Sequence, residues 1–249
     1  MAESSVVSLE KRTLRQDAWW VEILPVMTVL SVFGIYATFR AFEGKFCEWG
    51  PYLSPFYSPL IDPEHHWWPW SPAILILLGP LGFRATCYYY RKAYYRAFFM
   101  DPPACAVSER GQKKYCGETA FPFILQNIHR WFLYVAFIFL GFLWYDVILA
   151  FFFPDGIGVG VGTVIMFVNI VLLTMYTFSC HSLRHLVGGK LDCFSCSSFG
   201  SARHGAWRGL SLLNERHMLL AWLSLFSVGL TDLYIRLLAA GTLKDIRLL

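Results

Sequence analysis

The sequence predicts an all-α integral membrane protein, a single domain of residues 1–249 built as a bundle of about five transmembrane helices. The first observation is the composition, because 56% of the residues are hydrophobic and 15% are charged, whereas a soluble domain carries about a quarter charged residues. The second is a mean hydropathy of +0.47, since one soluble core of this length could not bury that much apolar surface. The third is the presence of five segments that each supply the roughly 20 mostly apolar residues of a spanning helix.

These five segments define the predicted spans in chain order. They cover residues 19–42, 70–99, 122–153, 158–187 and 216–239. The first contains the apolar run VMTVLSVFGIYATF. The second joins an apolar half, AILILLGPLGF, to a polar and aromatic half, RATCYYYRKAYYRAFF, and its Pro80 is a candidate for a kink. The last three contain WFLYVAFIFLGFLWY, VIMFVNIVLLTMYTF and MLLAWLSLFSVGL, respectively.

The sequence argues against a secreted protein and against a nucleic-acid-binding protein. We expect no secretory signal peptide, because charged residues precede the first apolar run and no cleavage site follows a short apolar region. The seven cysteines, an odd number, do not resemble a secreted disulfide framework. The net charge of +4 does not indicate nucleic-acid binding, since the lysines and arginines lie at span ends, where they orient a membrane protein.

The distribution of lysine and arginine predicts the orientation of the bundle. Basic residues are numerous in the N-terminal tail, between spans two and three, and between spans four and five. The positive-inside rule therefore places the N-terminus and both of these connections in the cytoplasm of a multi-pass plasma-membrane protein. The C-terminal tail also carries basic residues, which goes against this trend. Trp67, Trp68 and Trp70 fit an aromatic belt at the outer interface.

With this orientation, thiols and imidazoles from several segments reach a similar depth on the cytoplasmic side. They are Cys87, Cys105, His129, Cys180, His181, His185 and His217. Ionisable groups at the edge of a membrane bundle are costly and usually mark a site. His181 and His185 share a helix face because they are four residues apart. Mixed cysteine and histidine ligation suits zinc or a Rieske-type [2Fe–2S] centre, and two histidines from different helices also suit a bis-histidine haem.

Each candidate ligand also has a purely structural interpretation. A cysteine is commonly a small buried hydrophobe. His181 and His185 fit an interface with lipid headgroups, and His129 could bind phospholipid. Cys193 and Cys196 form a single CxxC, a weak zinc signal, and we interpret them as a loop feature.

Two carboxylates, Asp146 and Asp232, are predicted inside the membrane. Asp232 and Arg236 are spaced i, i+4, which predicts an ion pair within one helix. A metal or drug transporter, the alternative from a different class, would place such charges near the midplane among broken helices. The polar residues here gather at one end instead.

Several long strings carry a family resemblance. RATCYYYRKAYYRAFFMDPPACAV, GETAFPFILQNIHRWF, TFSCHSLRHLVGG and LNERHMLLAWLSLFSVGLTDLYIRL, with YLSPFYSPLI in the outer loop, resemble the membrane-anchor subunit of actinobacterial-type succinate dehydrogenase. The resemblance extends from about Tyr36 to Arg236. It implies an anchor of respiratory complex II, whose flavoprotein and iron–sulfur subunits hold FAD and further iron–sulfur clusters, oxidise succinate and pass electrons to this chain.

The resemblance also implies cofactors and ligands. The anchor delivers electrons to a quinone, with menaquinone expected, and in the mycobacterial branch it holds a Rieske-type [2Fe–2S] cluster in its membrane region. Two cysteines would come from Cys87, Cys105 and Cys180, and two histidines from His129, His181 and His185. Which four bind iron stays open, and a bis-histidine haem b anchor is the alternative.

Other expectations concern the quinone, the chemistry and the partners. Tyr88, Arg91 and Arg130 are the predicted quinone contacts. No residue of this chain is assigned a catalytic role, because succinate oxidation belongs to the partner subunits. Membrane lipids and a higher-order oligomer such as a trimer are further expected partners.

Overall fold

The structure, a computed structural model, describes residues 18, 20–61, 70–98, 123–189 and 191–249. It confirms the predicted all-α architecture. The described helices are α1 (Trp20–Glu43), α2 (Ala73–Ala85), α3 (Tyr88–Phe98), α4 (His129–Leu149), α5 (Val161–Phe178), α6 (His181–Arg184), α7 (Gly200–Glu215) and α8 (His217–Ala239). A 3₁₀ turn at Phe123–Ile128 precedes α4, and a π-helical turn at His185–Gly189 follows α6. Two short antiparallel ribbons complete this part of the chain: β1 (Glu48–Trp49) with β2 (Tyr52–Leu53), and β3 (Phe152–Phe153) with β4 (Gly156–Ile157).

Within the described ranges, four helical segments are long and apolar enough to cross a membrane. They are α1, α4 with its preceding turn (Ile124–Leu149), α5 and α8. Helices α2 and α3 pass the same test as a pair but are bent by 86° at their junction, which gives up to five spans, as predicted. The bend comes after Ala85, whereas Pro80 lies inside α2. The fourth span ends at Phe178, nine residues before the predicted end at residue 187. The helix is interrupted at Ser179 and Cys180, and α6 begins at His181.

Close approach of helices holds the bundle together. Helix α5 packs along α8, and α2 packs along α4. Gly79 lies so close to α4 that a Cβ atom there would be 2.7 Å from the Phe139 ring. Because lipid is as apolar as the helix surfaces, association in a membrane depends on such close packing, and large apolar side chains such as Ile35 stay exposed.

A buried ionic network joins α1 to α8 at the end of the bundle that carries β1 and β2. The predicted Asp232–Arg236 pair is wrong: Asp232 pairs with Arg40 at 2.8 Å, and Arg236 pairs with Glu43 at 2.7 Å. Asp232 also accepts a hydrogen bond from Ser54. The pairs form between helices because α1 and the following loop bring opposite charges against this end of α8, where Asp232 and Arg40 are fully buried.

The same end is capped by tyrosine and serine hydroxyls bound to carboxylates. Tyr52 and Tyr234 donate to Asp245 at 2.6 and 2.7 Å. Burial and the Asp245 carboxylate raise the pKa of Tyr52 to about 12, so its hydroxyl remains a donor. Ser58 donates to Asp146 at 2.5 Å. Trp67 and Trp68 of the predicted belt lie outside the described residues, and Trp70 is exposed.

Candidate functional site

Interruptions between helices bring two cysteines and two histidines together at the opposite end of the bundle. Cys87 lies between α2 and α3, and Cys180 lies between α5 and α6, whereas His129 and His217 begin α4 and α8. Cys87 Sγ lies 3.3 Å from His217 Nε2, and Cys180 Sγ lies 3.3 Å from His129 Nε2. Both cysteines belong to one buried core cluster. We call these four residues the Cys–His site.

Two hydroxyl groups orient the imidazoles of the site. Thr86 Oγ1 lies 2.8 Å from His129 Nδ1, and Ser179 Oγ lies 2.6 Å from His217 Nδ1. Each hydroxyl donates its single hydrogen to a backbone carbonyl, at 2.7 Å in both cases. The hydroxyl oxygens must therefore accept from Nδ1–H, because a hydroxyl has only one hydrogen to donate. Each neutral imidazole then presents the lone pair of Nε2 to a sulfur atom.

Aromatic rings enclose the two histidines. Phe83 stacks on His129 with ring centroids 4.9 Å apart and planes 6° apart. Tyr176 stacks on His217 with centroids 5.1 Å apart. Each ring covers one face of its imidazole and fixes the plane of the imidazole. His217 is buried, and His129 is half-buried.

The electrostatic setting combines desolvation with one nearby cation. Both thiols are desolvated, since Cys87 and Cys180 are buried. The Arg84 guanidinium lies 4.7 Å from the Tyr176 ring and donates to Ser224 Oγ and the Ala221 carbonyl. A fixed positive charge beside the site would stabilise negative charge on bound thiolates.

The structure brings together three of the six predicted ligands, Cys87, Cys180 and His129. His181 and His185 are exposed, and their described contacts are with Asn214 and Arg130, at 3.2 and 3.4 Å. Cys105, the remaining candidate, lies outside the described residues. Cys193 and Cys196 pair with each other as a disulfide.

Sequence reasoning counted His217 among the imidazoles of this end but did not select it as a ligand. The available signal was its position, since it opens the fifth span as His129 opens the third. In the part of the chain that the structure describes, no group of three or more His, Cys, Asp or Glu side chains is arranged to hold a single metal ion. The donors of the Cys–His site form two separate nitrogen–sulfur pairs instead.

The predicted quinone contacts Tyr88 and Arg130 directly follow Cys87 and His129 in the sequence. Tyr88 is exposed on α3, and the Arg91 guanidinium lies 4.9 Å from its ring. Arg130 lies beside His185, as described above. Their role stays a prediction.

Two comparisons with known proteins give matches that extend over nearly the whole chain. A family model described as "Actinobacterial succinate dehydrogenase subunit SdhC" matches residues 21–241. A chain in the solved structure "Mycobacterium smegmatis Sdh1 complex in the apo form" is 47% identical, with a TM-score of 0.84 over 96% of this chain and 94% of that chain. Comparison with curated proteins gives no match.

Proposed function

This chain belongs to the family of the actinobacterial succinate dehydrogenase subunit SdhC, and we propose that within the enzyme it passes electrons to a quinone through a Rieske-type [2Fe–2S] cluster. As a member of this family it is the membrane anchor of succinate dehydrogenase. Its partners are the flavoprotein and iron–sulfur subunits, in which succinate oxidation takes place.

The observation that carries the proposal is the donor set of the Cys–His site. Two nitrogen–sulfur pairs lie at one end of the bundle, with both cysteines and His217 buried, and two cysteines with two histidines are the ligands of a Rieske-type centre. We therefore propose Cys87, His129, Cys180 and His217 as the iron ligands. When bound, the cluster accepts and releases one electron at a time.

The residues around the site suit this role. Thr86 and Ser179 hold the Nδ1–H groups, which keeps both Nε2 atoms available for iron. Histidine ligation and exclusion of water raise the reduction potential of such a cluster, which favours electron entry from the iron–sulfur subunit. The predicted orientation places this end of the bundle on the cytoplasmic side, where that subunit would dock.

The test compares histidine variants of the intact complex. His217→Ala should remove the electron paramagnetic resonance signal of the [2Fe–2S] cluster and abolish quinone reduction, while succinate oxidation with an artificial dye continues. His181→Ala is the matched control and should retain the signal and both activities, because His181 is exposed and bonded to Asn214.

Other outcomes would count against the proposal. Loss of the signal in His181→Ala, with its retention in His217→Ala, would favour the ligands predicted from sequence. A sharp reduced α-band of the cytochrome b type would identify the site as a haem site. Metal uptake by vesicles that contain the chain without its partner subunits would support a transporter.

A further inference from the structure

The disulfide between Cys193 and Cys196 lies outside the Cys–His site and has no part in the proposed function. It belongs to the loop that joins the π-helical turn after α6 to helix α7. Both cysteines are exposed, and their Cα atoms are 5.5 Å apart, within the usual range for a disulfide. The predicted orientation places this loop in the cytoplasm, where thiols are kept reduced and disulfides are usually transient and either catalytic or redox-sensing. Exposed disulfides are also the ones that exchange readily with other thiols.

Other contacts hold the loop in place, so the disulfide adds little to its stability. The Phe194 ring packs against His204 and Trp207, with centroids 5.1 and 5.9 Å apart. Arg203 donates a hydrogen bond to the Val187 carbonyl at 3.1 Å. A disulfide stabilises a fold mainly by closing a long stretch of chain, whereas these two cysteines are only three positions apart. A permanent structural role is therefore a poor explanation for this pair.

The Ser195 hydroxyl distinguishes the two sulfur atoms of the disulfide. Ser195 Oγ lies 3.1 Å from Cys193 Sγ. A disulfide sulfur carries no hydrogen, so the hydroxyl donates to it. The same hydrogen bond would stabilise a thiolate leaving from Cys193, and exchange is faster when the leaving thiolate is more stable. Cys196 is therefore the sulfur that an incoming thiolate should attack.

Phe199 supplies a second, independent observation in the same loop. It lies three residues after Cys196, and its side chain is 85% exposed. Its φ of 58° is in the left-handed region, which residues other than glycine rarely adopt. Neither the exposure nor the backbone conformation stabilises the fold. A strained residue with an exposed apolar side chain, close in sequence to a reactive group, points to contact with a partner protein.

We propose that Cys193–Cys196 is a thiol–disulfide exchange site for a cytosolic dithiol protein of the thioredoxin type, which docks on Phe199. A thiolate of the partner attacks Cys196 Sγ, the bond between the two cysteines breaks, and Cys193 leaves as a thiolate and takes up a proton. The partner's second thiolate then attacks its own sulfur in the mixed disulfide and releases Cys196, which is protonated in turn. Two electrons pass to the Cys193–Cys196 pair, and the partner dithiol becomes a disulfide.

The redox state of the pair can be measured on a single peptide. Lys190 and Arg203 flank the loop, so trypsin releases residues 191–203, whose two cysteines are Cys193 and Cys196. Inverted membrane vesicles that contain the intact complex are equilibrated with reduced and oxidised thioredoxin, quenched in acid and labelled with N-ethylmaleimide. A tenfold change in the thioredoxin ratio should change the ratio of doubly labelled to unlabelled peptide about tenfold, since both couples carry two electrons.

The role of the Ser195 hydroxyl is tested by the rate of reduction. Ser195→Ala should slow reduction of the pair about two- to tenfold, because the leaving thiolate loses one hydrogen bond. Ser198→Ala is the matched control and should react at the wild-type rate, since Ser198 is exposed in the same loop and donates to neither sulfur among the described contacts. A thioredoxin without its second cysteine should be trapped on Cys196, and trapping on Cys193 would overturn the assignment of the attacked sulfur.

Docking on Phe199 is tested by comparing a protein reductant with a small one. Phe199→Asn removes the aromatic ring, and asparagine tolerates the left-handed conformation. Reduction by thioredoxin should be about tenfold slower in this variant, whereas reduction by dithiothreitol should be unchanged because it is too small to need the ring. Equal rates with thioredoxin, or equal slowing with both reductants, would overturn the docking role.

Other outcomes would overturn the exchange site itself. A peptide that stays unlabelled at every thioredoxin ratio would identify a permanent structural disulfide. A peptide that is fully labelled in acid-quenched cells, both in air and after addition of an oxidant, would show that the pair is not oxidised in the cell. Normal exchange in a wild-type complex that lacks the resonance signal of the cluster would overturn the proposed function alone and support this inference.

Discussion

At the scale of single residues, the hydroxyls of Thr86 and Ser179 determine how the histidines can act. Each hydroxyl donates a hydrogen bond to a backbone carbonyl and accepts one from Nδ1–H of the adjacent imidazole. The hydrogen bond to the hydroxyl therefore fixes the Nδ1–H tautomer of each histidine without a metal. Under the proposed function, these histidines would bind iron without reorganising their rings.

This arrangement predicts the effect of two substitutions at one position. Thr86→Val keeps the shape of the side chain but removes the hydroxyl that accepts from Nδ1–H of His129, so quinone reduction should fall about 10–100-fold. Thr86→Ser keeps the hydroxyl and should retain most of the activity. The measurement is quinone reduction by the intact complex, with dye-linked succinate oxidation as the check on assembly. Equal loss in both variants would show that the methyl group matters and the hydroxyl does not.

Residue types could be predicted from sequence, but their partners could not. Cys87, Cys180 and His129 stood out because ionisable groups are rare near membrane spans. The contact between His217 and Cys87 joins residues 130 positions apart, and no spacing rule reveals it. The i, i+4 pattern of His181 and His185 predicted a shared face, but the structure leaves both side chains exposed.

At the scale of elements, all four proposed ligands lie at ends or interruptions of helices. Cys87 and Cys180 occupy breaks, and His129 and His217 follow a 3₁₀ turn and the Arg216 break, respectively. Hydropathy predicted the spans because it is a local property of the chain. It could not predict the 86° bend, which coincides with the change from the apolar to the polar half of the second span.

The packing of α2 against α4 should control the position of this bend. Gly82 lies one turn before the bend and faces the Phe132 ring, so a Cβ atom at this position would overlap the ring. Gly82→Ala should therefore destabilise the fold by about 1–3 kcal/mol and reduce quinone reduction, because the Gly82 carbonyl also accepts the Thr86 hydrogen bond. Thermal unfolding of the complex measures the effect. Gly141→Ala, which meets open space, is the control and should melt like the wild type.

At the scale of the whole molecule, the two ends of the bundle are built from different interactions. The Arg40–Asp232 pair and its neighbours join α1 to α8 at one end, where charges are satisfied by opposite charges. The Cys–His site occupies the other end, where nitrogen and sulfur donors face one another without an acidic partner among the described residues. Both sets come from residues far apart in sequence, which is why composition predicted a membrane bundle but not its pairings.

Under the proposed function, the shortness of α2 has a consequence for the energy of an electron that reaches the Cys–His site. Its 13 residues extend about 20 Å, whereas the hydrocarbon core is about 30 Å thick. If α2 begins at the outer boundary, Cys87 lies about 10 Å inside the cytoplasmic boundary. An electron that reaches the site then crosses about a third of the transmembrane voltage, equivalent to about 0.8 kcal/mol per 100 mV.

With the predicted orientation and a negative interior, the voltage should favour reduction of the site. A potential of 100 mV across liposomes should shift the reduced fraction of the cluster about fourfold in equilibrium constant. Resonance spectra at a fixed succinate-to-fumarate ratio, recorded with and without a potassium diffusion potential, would measure the shift. Detergent-solubilised complex is the control, and a voltage-independent signal in liposomes would place the site at the membrane surface. The short helix would thus make the membrane voltage part of the driving force for electron entry.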